Sequence, residues 1–304
     1  MAEYPALEAV ADPKLKRAAA DTADRLARDS RALALGVFGS AVEGRSWDRS
    51  DVDLWLILDE DGDRHEAAAI LEQGAEVSFQ IVSRGNLHRL VEKSRGSPMC
   101  RALATTRWLW CRDAATESLL ARVRSFPEPW RGLRTLAAVD QIRTRLDEAE
   151  KMLFLNEPLG ALPKLADAFV HLARVRIIAE GVYPGRDPIG QVIDRQPQLV
   201  QRFRDLSDGV LPLADRIEQA VEYLDEATEP LAGLCLEEIR PALAGGPLSA
   251  DQLEDDPAFE RLDLNWVSLL RWLVGLGLLQ RGTRPRPSDQ LFAGLPEIVF
   301  GLPS

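Results

Sequence analysis

LGVFGSAVEGRSWDRSDVDLWLIL, residues 35–58 of a 304-residue chain, reads as strand, tight turn and second strand. Val37 and Phe38 favour a strand, and Gly39 permits a sharp, close-packed turn after it. Ser40 then opens a short helical turn. Its unpaired backbone N–H groups and positive dipole end suit phosphate oxygens, and Gly39 lets those oxygens approach the backbone. Gly44 ends the turn, and a polar loop carrying Arg45, Asp48 and Arg49 leads to Ser50. The second strand begins at Asp51-Val52-Asp53-Leu54. Side chains two apart on a strand share a face, so Asp51 and Asp53 lie together. Two adjacent carboxylates repel, and at the head of an apolar strand they call for a cation between them. Hard oxygen ligands of this kind suit Mg²⁺.

Each piece has a plain alternative, since Gly-Ser makes ordinary turns and Asp-Val-Asp can cap a buried strand. It is their coincidence, with Gly44 and Ser50 also in place, that points to a site. Gly39-Ser40, ten residues, then Asp51-Val52-Asp53-Leu54 resembles the signature of the DNA polymerase beta nucleotidyltransferase superfamily, and within it the minimal and aminoglycoside-type enzymes. The resemblance covers about the first 115 residues. It implies that Gly39 and Ser40, with Ser50 beside them, hold a nucleoside triphosphate, expected to be ATP. Asp51 and Asp53 are implied to hold Mg²⁺ between nucleotide and acceptor.

In that superfamily a later strand carries a third carboxylate of the metal site. Residues 76–82 alternate polar and apolar, as a strand with one wet face does. Aligned through its apolar residues and the following Ser83-Arg84, this strand puts Ser78 in the carboxylate's place. Glu76 shares the face of Ser78 but lies about 7 Å back along the strand. Both alternatives stand, Glu76 as the substitute catalytic carboxylate or a site without a third one.

Composition narrows the setting. Hydrophobic content of 46% with 28% charged residues is that of a soluble globular protein. The first residues lack a signal-peptide pattern and no apolar run reaches a membrane span, so a cytoplasmic protein with no membrane partner is expected. Cys100, Cys111 and Cys235 are scattered and odd in number, which fits core thiols rather than disulfides or zinc ligands. A net charge of -11 disfavours nucleic acid as a partner and suits a cationic small molecule better.

Asp12-Pro13 predicts a helix over 13–29, packed on a buried strand at 32–38. Asp59-Glu60-Asp61-Gly62-Asp63 reads as a solvated acidic turn, and residues 64–73 as a short helix. Residues 107–111 form another strand whose tryptophans are buried aromatics rather than a base-stacking platform. The first domain closes near Phe126, giving a nucleotidyltransferase domain over 1–126. Residues 127–230 read as a helical bundle, with helices marked by Leu133 to Leu153, by Leu162 to Ala173, and over 197–207 and 211–228. Lys164, Asp167, His171 and Arg174 form one polar stripe there. It reads as a solvated, self-paired face, with Asp167 and Asp140 as alternative general bases.

Residues 231–304 read as a winged-helix-like module: a helix at 234–243, a Gly-Gly-Pro break, a short helix after Ser249, a helix at 265–279 and a wing at Arg281-Gly282-Thr283. Its ten acidic side chains against six arginines oppose DNA binding. A packing role, or a homodimer contact, fits better. The fold expected is therefore α+β, a small mixed sheet followed by a helical bundle and the winged-helix-like segment. The function expected is Mg²⁺-dependent transfer of a nucleoside monophosphate to a hydroxyl of a small, aminoglycoside-like molecule. Two alternatives remain: a catalytically weakened nucleotide-binding regulator, and an enzyme that AMPylates a protein.

Overall fold

The computed structural model describes residues 4–44, 47, 50–93, 98–260, 262–285 and 296–303. Arg45, Asp48 and Arg49 of the polar loop lie outside them. The chain divides into two compact units, Met1–Pro127 and Glu128–Ser304.

The first unit is α+β. Helix α1 (Pro13–Leu26) starts where Asp12 accepts hydrogen bonds from the backbone amides of Lys14 and Leu15, with Pro13 in the first turn. Strands β1 (Ala32–Phe38) and β2 (Val52–Leu58) follow, then β3 (His65–Glu72) and β4 (Ala75–Ser83). After helices α2 (Arg84–Lys93) and α3 (Pro98–Thr105) come strand β5 (Arg107–Cys111) and helix α4 (Ala114–Arg122). The sheet order is β3-β4-β2-β1-β5. β2 and β4 are parallel and the other pairs antiparallel.

Alternation along β2 divides the two sheet faces. Val52, Leu54, Leu56 and Leu58 join Leu15, Ala18 and Ala19 of α1 in one buried cluster. Burying one such leucine contributes about 2 kcal/mol. The opposite face carries Asp51, Asp53 and Trp55, with Trp55 between Phe38 and His65, its ring stacked on the imidazole.

Residues 64–73 do not form the expected helix: they supply β3. The local sequence Glu66-Ala67-Ala68-Ala69 favours a helix, but β3 pairs with β4 from His65 to Glu72 without a break in register. Its two-residue turn has both Gln73 (φ 50°) and Gly74 (φ 72°) in the left-handed region, the backbone of a tight hairpin. Tertiary pairing outweighs local preference here. At the other edge, Trp108 and Trp110 are half-buried in β5, and the Arg112 guanidinium lies 4.7 Å from the Trp110 ring centre. Cys100, Cys111 and Cys235 are free thiols.

The second unit is helical at its centre. Helices α5 (Arg131–Phe154) and α6 (Pro158–Ala179) pack along their length through Leu136, Ile142 and Leu146 against Leu165, Phe169 and Leu172. Helices α7 (Pro188–Gln191), α8 (Pro197–Asp208), α9 (Leu213–Thr228) and α10 (Ala232–Leu243) complete the bundle. Helix α11 (Ala250–Glu254) starts with a capping box between Ser249 and Gln252. Helix α12 (Trp266–Gly275) stops short of the expected residue 279, and strands β6 (Gln280–Pro285) and β7 (Pro296–Gly301) pair antiparallel after it. Trp266, Leu269, Leu273 and Phe300 share the buried cluster of α5 and α6. Among the described residues, no helix is long and apolar enough to cross a membrane.

Candidate functional site

The site gathers where β1 ends and β2 begins. Gly39 follows the last residue of β1 with φ +79°, a conformation that side chains rarely adopt. A β-carbon there would lie 2.2 Å from Asp53 Oδ2, so only glycine lets the turn press against that carboxylate. Residues 40–44 form a turn, with the Val42 and Glu43 amides donating to the Gly39 carbonyl at 3.3 and 3.2 Å. The Glu43 carboxylate meets Arg101 of α3 at 3.1 Å, tying the turn to the helix.

Ser50 reaches back to this turn. Its Oγ accepts from the Trp47 amide at 2.9 Å and lies 3.4 Å from the Ser40 hydroxyl. The structure therefore brings Gly39, Ser40, Ser50, Asp51 and Asp53 into one corner. All five are partly exposed, which leaves them reachable from solvent.

Register determines which residue of β4 joins them. Asp53 pairs with Phe38 on one side and with Ser78 on the other. Ser78 donates its hydroxyl proton to Asp51 Oδ2 at 2.8 Å. Glu76 sits two residues earlier, exposed and opposite Leu71 of β3. The residue directly beside the aspartate pair is thus a hydroxyl that orients Asp51, while the nearest carboxylate on that strand points from a more open position.

Two carboxylates on an open face, next to a turn that a β-carbon would block, suit Mg²⁺. That ion is commonly held by one or two carboxylates and completes its octahedron with phosphate and water oxygens. Among the described residues, no three His, Cys, Asp or Glu side chains stand together as an all-protein metal cage.

No family model matches this chain, and no curated protein matches it. Among solved structures it matches a nucleotidyltransferase-like protein from Exiguobacterium sibiricum with a TM-score of 0.67. The match covers 94% of this chain and 98% of that one, at 16% identity. The fold is nucleotidyltransferase-like. At that identity the likeness is one of architecture, and it extends over the nucleotidyltransferase-like sheet and the helical half alike.

In the helical unit the polar stripe of α6 is tied up in ion pairs. Asp167 meets Arg145 of α5 at 2.7 Å, and Lys164 meets Glu148 at 2.9 Å. Arg174 contacts the His171 ring, and burial, followed by that charge, pushes the imidazole down to about 4. Asp140 is fully buried on α5. Its Oδ2 accepts from the Asn265 amide at 3.0 Å. A general base must touch the group it deprotonates, and Asp140 is sealed from any ligand in solution.

Sequence reasoning missed two features of this neighbourhood: the clasp between Glu43 and Arg101, and the strand β3 beside Ser78. The first has no local signal, because it joins residues far apart in the chain. The second had one, the Gln73-Gly74 pair ahead of an alternating segment.

Proposed function

We propose that the protein is a Mg²⁺-dependent nucleotidyltransferase that moves a nucleoside monophosphate from a triphosphate, ATP by expectation, to a hydroxyl of a small molecule. The observation that carries this reading is Gly39 pressed against the Asp53 carboxylate, a contact that puts a phosphate-accepting turn and a carboxylate pair in one open corner.

In this reading Gly39 and the following turn receive the triphosphate through backbone N–H groups, and the hydroxyls of Ser40 and Ser50 donate to its oxygens. Asp51 and Asp53 hold the metal, with Ser78 keeping Asp51 in orientation. Bound Mg²⁺ supplies charge neutralisation at the transferring phosphoryl group. The acceptor oxygen bonds to the α-phosphorus, the bond from that phosphorus to the bridging oxygen breaks, and pyrophosphate leaves. Glu76, exposed on the same strand face, takes the hydroxyl proton.

A second reading rests on Ser78. With a hydroxyl beside Asp53 where a third carboxylate would activate the acceptor, the protein becomes a nucleotide-binding regulator with weak turnover. One experiment separates the readings. Nucleoside triphosphates are offered with Mg²⁺ and pooled aminoalcohols, aminoglycosides or protein lysate, and triphosphate binding, pyrophosphate release and label transfer are followed together. Release with label on a small molecule supports the enzyme, and label on a macromolecule redirects the acceptor to protein. Tight binding without release supports the regulator, and absence of Mg²⁺-dependent binding overturns both.

A further inference from the structure

Strand β3 is one edge of the sheet, and its seven residues from His65 to Leu71 are all exposed. An edge strand presents unpaired backbone N–H and C=O groups to any other strand, and proteins usually blunt such an edge with charged side chains (lysine above all), proline, a bulge or a short length. Of these β3 has only Glu66 and Glu72, and Glu72 is already paired with Arg25. The strand is eight residues long, carries neither lysine nor proline, and keeps unbroken register with β4. The opposite edge is protected in the usual ways: β5 has five residues, begins with Arg107 and pairs with β1 across an irregularity between Leu35 and Gly36.

We infer that β3 is the contact by which two copies of this chain pair, strand against antiparallel strand, into a continuous ten-stranded sheet. The sequence of the edge is what selects a second copy as the occupant. In an antiparallel ladder, directly opposed residues have side chains on the same sheet face, so a two-fold axis normal to the sheet must pass through one residue. Centred on Ala68, that axis sets Ala67 opposite Ala69, Glu66 opposite Ile70, His65 opposite Leu71 and Arg64 opposite Glu72.

This register puts a guanidinium facing a carboxylate at both ends and three alanines in the middle, where small side chains let the two backbones approach. Shifting the axis to Ala69 puts Glu66 opposite Glu72, and like charges directly opposed are destabilising. Shifting it to Ala67 faces Arg64 with Ile70 and loses the ion pair. Glu72 already pairs with Arg25 at 2.6 Å, and Arg64 with Glu66 at 3.0 Å, so the new contact joins two existing pairs into a charged network at each end. The exposed Leu71, at 77%, and Ile70, at 38%, gain cover from the opposing copy.

The test uses the full chain in sedimentation velocity over a wide concentration range. The expected result is a dimer that dissociates on dilution, and Ala68→Lys, which sets two lysines against each other on the axis, weakens it about fivefold or more. Ala68 is exposed, so the monomer fold tolerates the lysine, and an unchanged circular dichroism spectrum verifies this. Ala68→Cys gives an independent readout of register. Placed in a Cys111→Ser background, because Cys111 is partly exposed, it forms under mild oxidation a reducible covalent dimer that the background chain, with Cys100 and Cys235 buried, does not form. A monomer at every concentration overturns the inference and leaves the edge to a strand of another protein. A dimer indifferent to both Ala68 variants also overturns it, by locating the contact elsewhere.

Discussion

Asp51 with Asp53, and Asp140, are acids placed in two opposite kinds of surroundings. The pair stands on a sheet face among Gly39, Ser40, Ser50 and Ser78, all small and partly exposed, so ligand oxygens have room beside the carboxylates. Asp140 stands inside a helical core, with one oxygen on the Asn265 amide and Oδ1 without a hydrogen-bond partner among the described residues. Burial, with smaller contributions from Asp263 and Asp147, pushes its acid up to about 6. Further along α5, Arg143 pairs with Asp225 of α9 and Asp147 accepts from Ser268 of α12. An acidic residue becomes chemically available through the smallness of its neighbours. Enclosed by large ones, it becomes a fastener between helices, at a cost.

The sharpest way to break this contrast is at the pair itself. Asp53→Asn removes one charge at nearly constant size, and nucleotidyl transfer is expected to fall by about 10² to 10³ while the fold survives, as measured by pyrophosphate release and thermal unfolding. A fully active variant would remove Asp53 from the site. Gly39→Val follows in size. Its side chain meets Asp53 and forces a valine into positive φ, so triphosphate affinity by equilibrium titration is expected to drop about 10²-fold, with some stability lost. Unchanged affinity in a folded protein would take the turn out of the mechanism.

Asp140 tests the other side of the comparison. Its ordinary value is 3.8 and its folded value about 6, so the folded state holds the proton more tightly than the unfolded chain. The stability it contributes is therefore fully present below about pH 4 and lost as pH rises through about 6. Asp140→Asn keeps an acceptor for the Asn265 amide and carries no charge. Denaturant titrations should show the pH slope flattened, and stability at neutral pH raised by up to about 3 kcal/mol. Loss of transfer activity with stability intact would instead return Asp140 to the chemistry.

The smallest effects decide the role of Ser78. Ser78→Ala frees Asp51 from one hydrogen bond and should lower turnover about fivefold, the scale of roughly 1 kcal/mol for one such bond. Ser78→Asp raises turnover if the third position is simply vacant of charge, and Glu76→Gln then matters little. If Glu76 serves as the base, Glu76→Gln costs about 10²-fold and Ser78→Asp is harmful through repulsion.

How much of this was legible in the sequence depended on range. The corner at Gly39, Ser40, Asp51 and Asp53 was legible because its parts lie close along the chain and each residue type has a steric or charge reason to be there. Asp12 and Pro13 announced α1 in the same local way, and apolar spacing announced α5 and α6. β3 was not, since Ala67 to Ala69 favour a helix and only β4 imposes the strand. The choice between Ser78 and Glu76 was equally hidden. Alternation puts both on one face, and only the cross-strand register sets Ser78 beside Asp53.

The pairing of β1 with both β2 and β5 also has a temporal side. β1 is buried along most of its length, yet its second partner is the last strand of the sheet to be made. Until Cys111 has left the ribosome, Leu35 and Val37 lie on an unfinished edge, and non-local pairing of this kind is slow and prone to misassociation. The α5–α6 hairpin, built from neighbours in sequence, carries no such delay. Nascent chains of this protein thus pass through a window of vulnerability that closes only when β5 docks.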